Sequence, residues 1–323
     1  MSHDQQPLPV VRACELDAGE PGTQWLIERL WARSAVGIVG GPPKSCKTWL
    51  ALDMAVSLAS ATPCIGLFRP ACRERVLLYA AEDSHAVLKQ RLGSICRHRG
   101  LALDTLDLFV ITSDHLRLDL HRDQVRLEDA VNRIEPALLL LDPLVRLHRI
   151  NENDAGEVSE LLDYLRTLQR RSRVAIALVH HTRKNGSAGH PGLALRGSSD
   201  IHAWADCSLY LRRKQEQLLL IAEHRASSSP DPVELRLAGG DHPCLEIVGE
   251  GASQPAQDLA QAVCDCLRQA TAPMTRTALR QRLRTRNERL GKTLQQLEQQ
   301  SRIRRSQNGW CIASPDVNTA STM

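Results

Sequence analysis

The 323 residues read as an α/β protein: a mainly parallel sheet, an antiparallel extension of that sheet, and a small basic domain behind it. Short runs made almost wholly of apolar residues alternate with stretches of helical period, the pattern of strands covered by helices on both faces. After Ser208 the helical stretches drop out and short strands follow one another closely. From residue 249 the composition turns to Gly, Ser and Pro, and the charge changes sign.

Residues 1–30 are a polar lead-in with one apolar cluster, Trp25-Leu26-Ile27 to Leu30-Trp31, expected to pack on the edge of the domain that follows over 31–248. Strands are expected at Val36–Val39, Val76–Ala81, Leu108–Thr112, Ala137–Leu141 and Val174–Val179, with helices over 47–60, 84–98, 123–135 and 155–171. Leu209–Leu211, Leu218–Ala222, Val233–Leu237 and Leu245–Val248 then form the antiparallel extension, and 249–256 is a linker. Within 257–313, Leu259, Ala262, Val263, Cys266 and Leu267 share one helical face. Ala278, Leu279 and Leu283 share a second, and Leu290, Leu294 and Leu297 a third that Asn287 is placed to cap. An alternating stretch from Ser301 to Ile312 contains Asn308-Gly309, a pair suited to a tight hairpin. Three helices closed by a hairpin make a winged helix-turn-helix domain, and the polar tail 314–323 is expected to be disordered.

Composition narrows the function. No apolar run approaches the ~18 residues of a membrane span, and the N-terminus lacks a basic flank leading into an apolar segment, so a cytoplasmic protein with no membrane partner is expected. Ten cysteines are scattered without a C-x-x-C pair, which suggests neither a zinc site nor a disulfide framework. Residues 257–312 hold eleven Arg or Lys against four Asp or Glu, although the whole chain is only +4. With aromatics at 3%, stacking of single-stranded bases has little material, so contact with DNA should be electrostatic and groove-based.

The sharpest local signal is the segment Gly40 to Thr48, which follows an apolar strand and opens a helix. Gly41, Pro42, Pro43, Lys44, Ser45, Cys46, Lys47, Thr48 and Trp49 are the candidate phosphate cradle. Backbone N–H groups converge on the phosphates, Lys47 neutralises the β and γ oxygens, and the Thr48 hydroxyl ligates Mg²⁺. The pattern G-x-x-x-x-G-K-[ST] departs at one place, where Cys46 stands for glycine. Cys46 beside Lys47 at a helix N-terminus should be a favoured thiolate. Glu82, at the end of the next strand, is placed either as the base for an attacking water or, with Asp83, as a helix cap. Asp142 closes an apolar strand and suits Mg²⁺ held through water. His180 and His181 end another strand, as phosphate sensors or as one packed and one solvated ring, ahead of a Gly/Ser-rich loop.

Taken in order, GGPPKSCKT, YAAEDS, LLLLDPL, VHHTRK and RGSS over residues 20–248 resemble the RecA-like P-loop ATPases, most closely the RepA type among hexameric plasmid helicases. The resemblance implies a RecA-like core that uses ATP and Mg²⁺ and assembles as a homo-oligomer, a hexameric ring in that family. It implies Lys47 and Thr48 as phosphate and metal ligands, Glu82 as catalytic carboxylate, Asp142 as the second metal-side acid, and His181 or His180 as switch. Asp206 stands where the plasmid type has an arginine that reaches the neighbouring subunit. Related ring helicases carry that arginine in a Lys-x-Arg-x-Gly element, which here reads Glu223 to Ser227, so Arg225 is the candidate finger acting in trans.

In the basic domain, Arg289, Lys292, Thr293 and Gln296 face away from the buried leucines and are groove-reading types. Arg302, Arg304 and Arg305 lie on the hairpin, and Arg280, Arg282, Arg284 and Arg286 on its flank, all suited to phosphates. The expected function is an ATPase that couples nucleotide binding and hydrolysis to an action on DNA, helicase-like or remodelling, and the resemblance implies a setting in plasmid or mobile-element replication or maintenance. The alternative is a nucleotide-gated DNA-binding regulator or defence-type assembly that hydrolyses ATP weakly.

Overall fold

The computed structural model describes residues 10–15, 24–151, 154–181, 199–214, 217–248, 256–270, 272–283, 287–300, 302–306 and 309–313. The chain divides into two compact units, Met1–Ile247 and Val248–Met323.

The first unit is built on a nine-stranded sheet in the order β11-β10-β9-β8-β3-β7-β6-β4-β5. Its middle strands are β3 (Val36–Gly41), β4 (Val76–Ala80), β6 (Leu138–Asp142) and β7 (Ala175–His181), with β5 (Leu108–Val110) at one edge. All pair in parallel. They are nearly continuous Val, Ile, Leu and Ala because both faces are covered. On one face lie α1 (Lys47–Ser60) and α2 (His85–His98), whose Leu50, Met54, Leu58, Leu92 and Ile95 pack with Val39, Leu78 and Leu140. On the other lie α3 (His121–Ile134) and α4 (Ala155–Ser172), which bury Leu127, Val131, Leu161, Leu165 and Leu168 against Ile38, Leu139 and Leu178.

Two expectations change here. The cluster at 25–31 does not sit on an edge. It forms a hairpin, β1 (Trp25–Ile27) and β2 (Trp31–Ala32), whose Leu26, Ile27, Leu30 and Trp31 are part of the main core while Trp25 stays half-buried, because four large apolar side chains so close together gain more from full burial than from an edge. The extension is not antiparallel throughout. β8 (Cys207–Lys214) runs parallel to β3, and only β9 (Gln217–His224), β10 (Val233–Ala238) and β11 (Cys244–Ile247) run antiparallel. The long connection from β7, which ends in the short helix α5 (Ser199–Trp204), returns the chain to the sheet end where β7 began, so the next strand points the same way. Gly37 is required at that seam, since a Cβ there would lie 1.8 Å from the Cys207 carbonyl oxygen.

Among its described residues the second unit has three helices, α6 (Ala256–Gln269), α7 (Arg276–Arg282) and α8 (Asn287–Gln299), and a hairpin of β12 (Ile303–Ser306) and β13 (Gly309–Ile312). Leu259, Val263, Leu267, Leu279, Leu290, Leu294, Leu297 and Ile303 form its core. The Thr275 hydroxyl caps α7 by accepting from Ala278 N–H at 3.2 Å. Gly309 is not a turn residue. It pairs with Ser306 at φ +142°, and a Cβ there would lie 2.4 Å from the Met274 carbonyl oxygen, where Met274 and Trp310 exchange backbone hydrogen bonds. Parts of the linker, Arg284, Arg286, Gln307, Asn308 and residues 314–323 lie outside the described residues.

Candidate functional site

β3 ends at Gly41 and α1 begins at Lys47, and the five residues between turn the chain back over the end of the sheet. The turn needs left-handed backbone at two non-glycine residues, Lys44 (φ 62°) and Cys46 (φ 64°, ψ 23°). Cys46 thus adopts the conformation for which glycine is the usual residue. It precedes α1 without any side-chain cap, so the first N–H groups of the helix are left for another acceptor. Gly41 is needed for space, as a Cβ would lie 2.6 Å from both the Leu211 carbonyl oxygen and Ser45 Oγ. That Ser45 hydroxyl is buried and has no hydrogen-bond partner. Lys47 is 5% exposed, and its ammonium donates back to the Pro42 carbonyl at 2.8 Å. Burial lowers its pKa, opposed by Asp142, Glu82 and Cys46. An orphaned hydroxyl, an uncapped helix start and a lysine folded onto its own loop together fit an anion such as a phosphate chain.

The acids sit at the ends of the adjoining strands. Asp142 ends β6, is 7% exposed and hydrogen-bonds the Thr48 hydroxyl. Burial raises its pKa to about 6; Asp83 and Glu82 push in the same direction, Thr48 and Lys47 against. Glu82, two residues beyond β4, is exposed and accepts from Arg146 Nε at 3.3 Å. The helix-cap reading of Glu82 and Asp83 does not hold: Ser84 caps α2 by accepting from Val87 N–H, and Asp83 pairs with Arg91. Arg91 also lies over the half-buried Trp49 ring, 5.5 Å from its centroid. Register places His180 beside Gly40 and His181 beside Gly41, with His180 buried and His181 half-buried. The loop after His181, including Arg196 to Ser198, lies outside the described residues.

The favoured Cys46 thiolate is overturned. Burial raises this thiol, outweighing the neighbouring charges of Arg213, Lys47 and Arg91. Sequence reasoning missed Arg91, Arg146 and Arg213. Arg146 does follow Asp142 by four residues on a short turn, but nothing in the spacing marks Arg213, which β8 delivers from 167 positions away.

Arg225 lies at the other end of the sheet from this loop. Its backbone N–H donates to the Asp206 carbonyl, and Asp206 N–H donates to Val36 O at the start of β3. Its guanidinium pairs with the Asp206 carboxylate at 3.1 Å and donates to the Ala203 carbonyl. Arg166 holds the same carboxylate at 2.7 Å, and Asp206 Oδ2 accepts from Val36 N–H at 3.2 Å.

In the second unit, Gln296, Arg302, Arg304 and Arg305 are exposed and Thr293 is half-buried. Arg305 lies over Trp310 at 5.9 Å. Arg289 and Lys292 belong to α8, but their side chains are outside the described residues.

The sequence profile of the AAA domain family matches residues 2–187. The DNA repair protein RadA of Halalkalibacterium halodurans is 25% identical over 160 residues, which are 48% of this chain and 30% of that protein. The chain thus spans less than a third of that relative's length. Among solved structures, the ATPase domain of G40P matches with a TM-score of 0.52 at 13% identity, over 67% of this chain and 86% of that one. The RadB recombinase matches with a TM-score of 0.47 at 18% identity, over 67% and 92%. Among the described residues, no helix is long and apolar enough to cross a membrane.

Proposed function

The chain belongs to the AAA domain family and carries a RecA-like P-loop core, and on that footing we propose that it couples ATP binding and hydrolysis to an action on DNA. The observation that carries the reading is the loop from Gly41 to Lys47: an uncapped helix start, an orphaned buried hydroxyl and a buried lysine with two carboxylates in range.

In this reading the triphosphate lies along the N–H groups of 44–48, and Lys47 leaves the Pro42 carbonyl for the β and γ oxygens. Thr48 and Asp142, already bonded to each other, are the oxygen donors that would hold Mg²⁺, which supplies charge neutralisation on the phosphates. Glu82 orients and deprotonates the attacking water, and Arg146 aims its carboxylate. His181, level with Gly41, reads the state of the γ-phosphate. Trp49 with Arg91 across its face gives the rest of the nucleotide a flat, cationic wall. Arg225 serves a neighbouring subunit's nucleotide, which implies a homo-oligomer, a hexameric ring of the RepA type.

The second unit is assigned as a winged helix that contacts duplex DNA through α8 and the arginines of β12, supported by three helices, a hairpin and a local excess of positive charge. The name of RadA, a DNA repair protein, is consistent with work on DNA, and a cytoplasmic setting follows from that partner. Phosphate release with and without DNA tests the whole reading: wild type should turn over at least ~100-fold faster than Glu82→Gln, and equal rates under both conditions defeat it. A nucleotide-gated DNA binder with weak hydrolysis is the second reading. Cys46 in the loop and Asp206 at the plasmid-type arginine position favour it.

A further inference from the structure

Three side chains with no part in the nucleotide reading meet at the sheet's outer edge. His98 is the last residue of α2, and Cys244 and Glu246 stand two apart on the edge strand β11, so both project from the same face of that strand. A ring nitrogen of His98, Cys244 Sγ and a Glu246 carboxylate oxygen lie within 4.8 Å of one another, and His98 Nε2 is 3.8 Å from Glu246 Oε1.

The arrangement is held from outside. Glu246 Oε2 accepts from its cross-strand partner Arg236, from Nε at 3.3 Å and Nη2 at 3.1 Å, which leaves Oε1 for the His98 side. The β10–β11 turn is fixed by Gly239 at φ +106°, where a Cβ would lie 2.3 Å from the His242 carbonyl oxygen. Arg97 Nη2, beside His98, meets His242 Nδ1 at 3.1 Å and ties that turn to the end of α2. A weak imidazole–carboxylate pair accounts for His98 and Glu246 but not for a thiol that is 1% exposed and aimed at both.

We propose that His98, Cys244 and Glu246 form a site for a zinc-class divalent cation, completed by water, that fastens the edge strand β11 to the C-terminal end of α2. A sulfur, an imidazole nitrogen and a carboxylate oxygen are a zinc-type donor set and a poor one for Mg²⁺, so the site is chemically separate from the phosphate loop. Donors around a tetrahedral zinc lie roughly 3.3–3.7 Å apart, which small rotations of the partly exposed His98 and Glu246 reach. Thiolate and carboxylate together balance the charge of the ion. Burial, with Glu246 and Asp53 beside it, pushes the Cys244 thiol up to about 11, so the incoming ion must displace its proton.

The test uses the full chain without nucleotide, titrated with Co²⁺ and then with Zn²⁺. One equivalent of Co²⁺ should give thiolate-to-cobalt charge transfer together with the visible bands of a four-coordinate ion, and Zn²⁺ should abolish both. Cys244→Ser should remove the charge-transfer band, and Cys311→Ser should leave it intact. His98→Gln and Glu246→Gln should each weaken Co²⁺ at least ~10-fold, and Arg236→Met about 10-fold through the orientation of Glu246. If Cys244→Ser does not fold, the two surface variants decide. No charge transfer in wild type, a band that persists in Cys244→Ser, or unchanged affinity in both His98→Gln and Glu246→Gln overturns the proposal.

Discussion

Cys46 holds a left-handed backbone at the entry to α1, and an L-residue there costs roughly 1–2 kcal/mol relative to glycine. Cys46→Gly should therefore raise the stability of the nucleotide-free protein by about 1 kcal/mol and also tighten ATP, because it removes a side chain from the cradle; thermal melts and calorimetry read the two effects separately. Its raised thiol makes it a slow target for alkylation near neutral pH, and bound ATP should slow labelling further; equal labelling with and without ATP would count against the cradle. Asp142 gives the pH dependence. Its folded value, about 6, lies above the ordinary 3.8, so the folded state holds the proton longer than the unfolded chain does. Its contribution to stability is greatest below about pH 4 and is lost as pH rises through about 6. Asp142→Asn should accordingly melt higher than wild type at about pH 7.5, with the gap closing toward about pH 4. Magnesium-dependent nucleotide binding by wild type should strengthen across about pH 6, since the ion requires the carboxylate, and a flat profile would remove Asp142 from that role.

Among the elements, α1 is legible to the residue because a loop rich in Gly and Pro precedes it and the helical period begins at once. The apolar strands were legible for the same reason: burial on both faces leaves no room for polar alternation. The direction of β8 was not, because it depends on a long crossover and not on the strand's own residues. The loop, Asp142 and Glu82 could be found since each closes a strand. Arg91 and Arg213 could not, as only the packed sheet and helices bring them to the loop. The His98–Cys244–Glu246 group was invisible in the same way: metal-ligand spacing is a local pattern, and 146 positions separate its histidine from its cysteine. The hairpin misled because Asn308-Gly309 suggests a turn centre, yet Gly309 is a strand residue that must let Met274 approach. Gly37→Ala should destabilise the first unit by roughly 3 kcal/mol, as the new methyl meets backbone that cannot move without parting β3 from β8. Denaturant melts check this, and a loss under ~0.5 kcal/mol would show that the seam yields.

For the molecule as a whole, the division into two compact units lets each be tested apart. A chain ending at residue 256 should keep nucleotide binding while losing most duplex affinity and most of its salt dependence, as read by anisotropy across a salt series. If Arg225 serves a neighbour, mixing Lys47→Ala with Arg225→Ala protein should restore part of the turnover that each lacks alone, which a purely internal arginine would not allow.

The doubly gripped carboxylate of Asp206 bears on how readily such a handover occurs. Arg225 is half open to water, so its grip is worth about 0–1 kcal/mol. Arg166 and the Val36 amide hold the same carboxylate, so release of Arg225 would leave no bare anion in the wall of the fold. If Arg225 does serve a second subunit, it rests meanwhile on a cheap berth, and docking would have to undo only one exposed ion pair and its bond to the Ala203 carbonyl before that charge is redeployed.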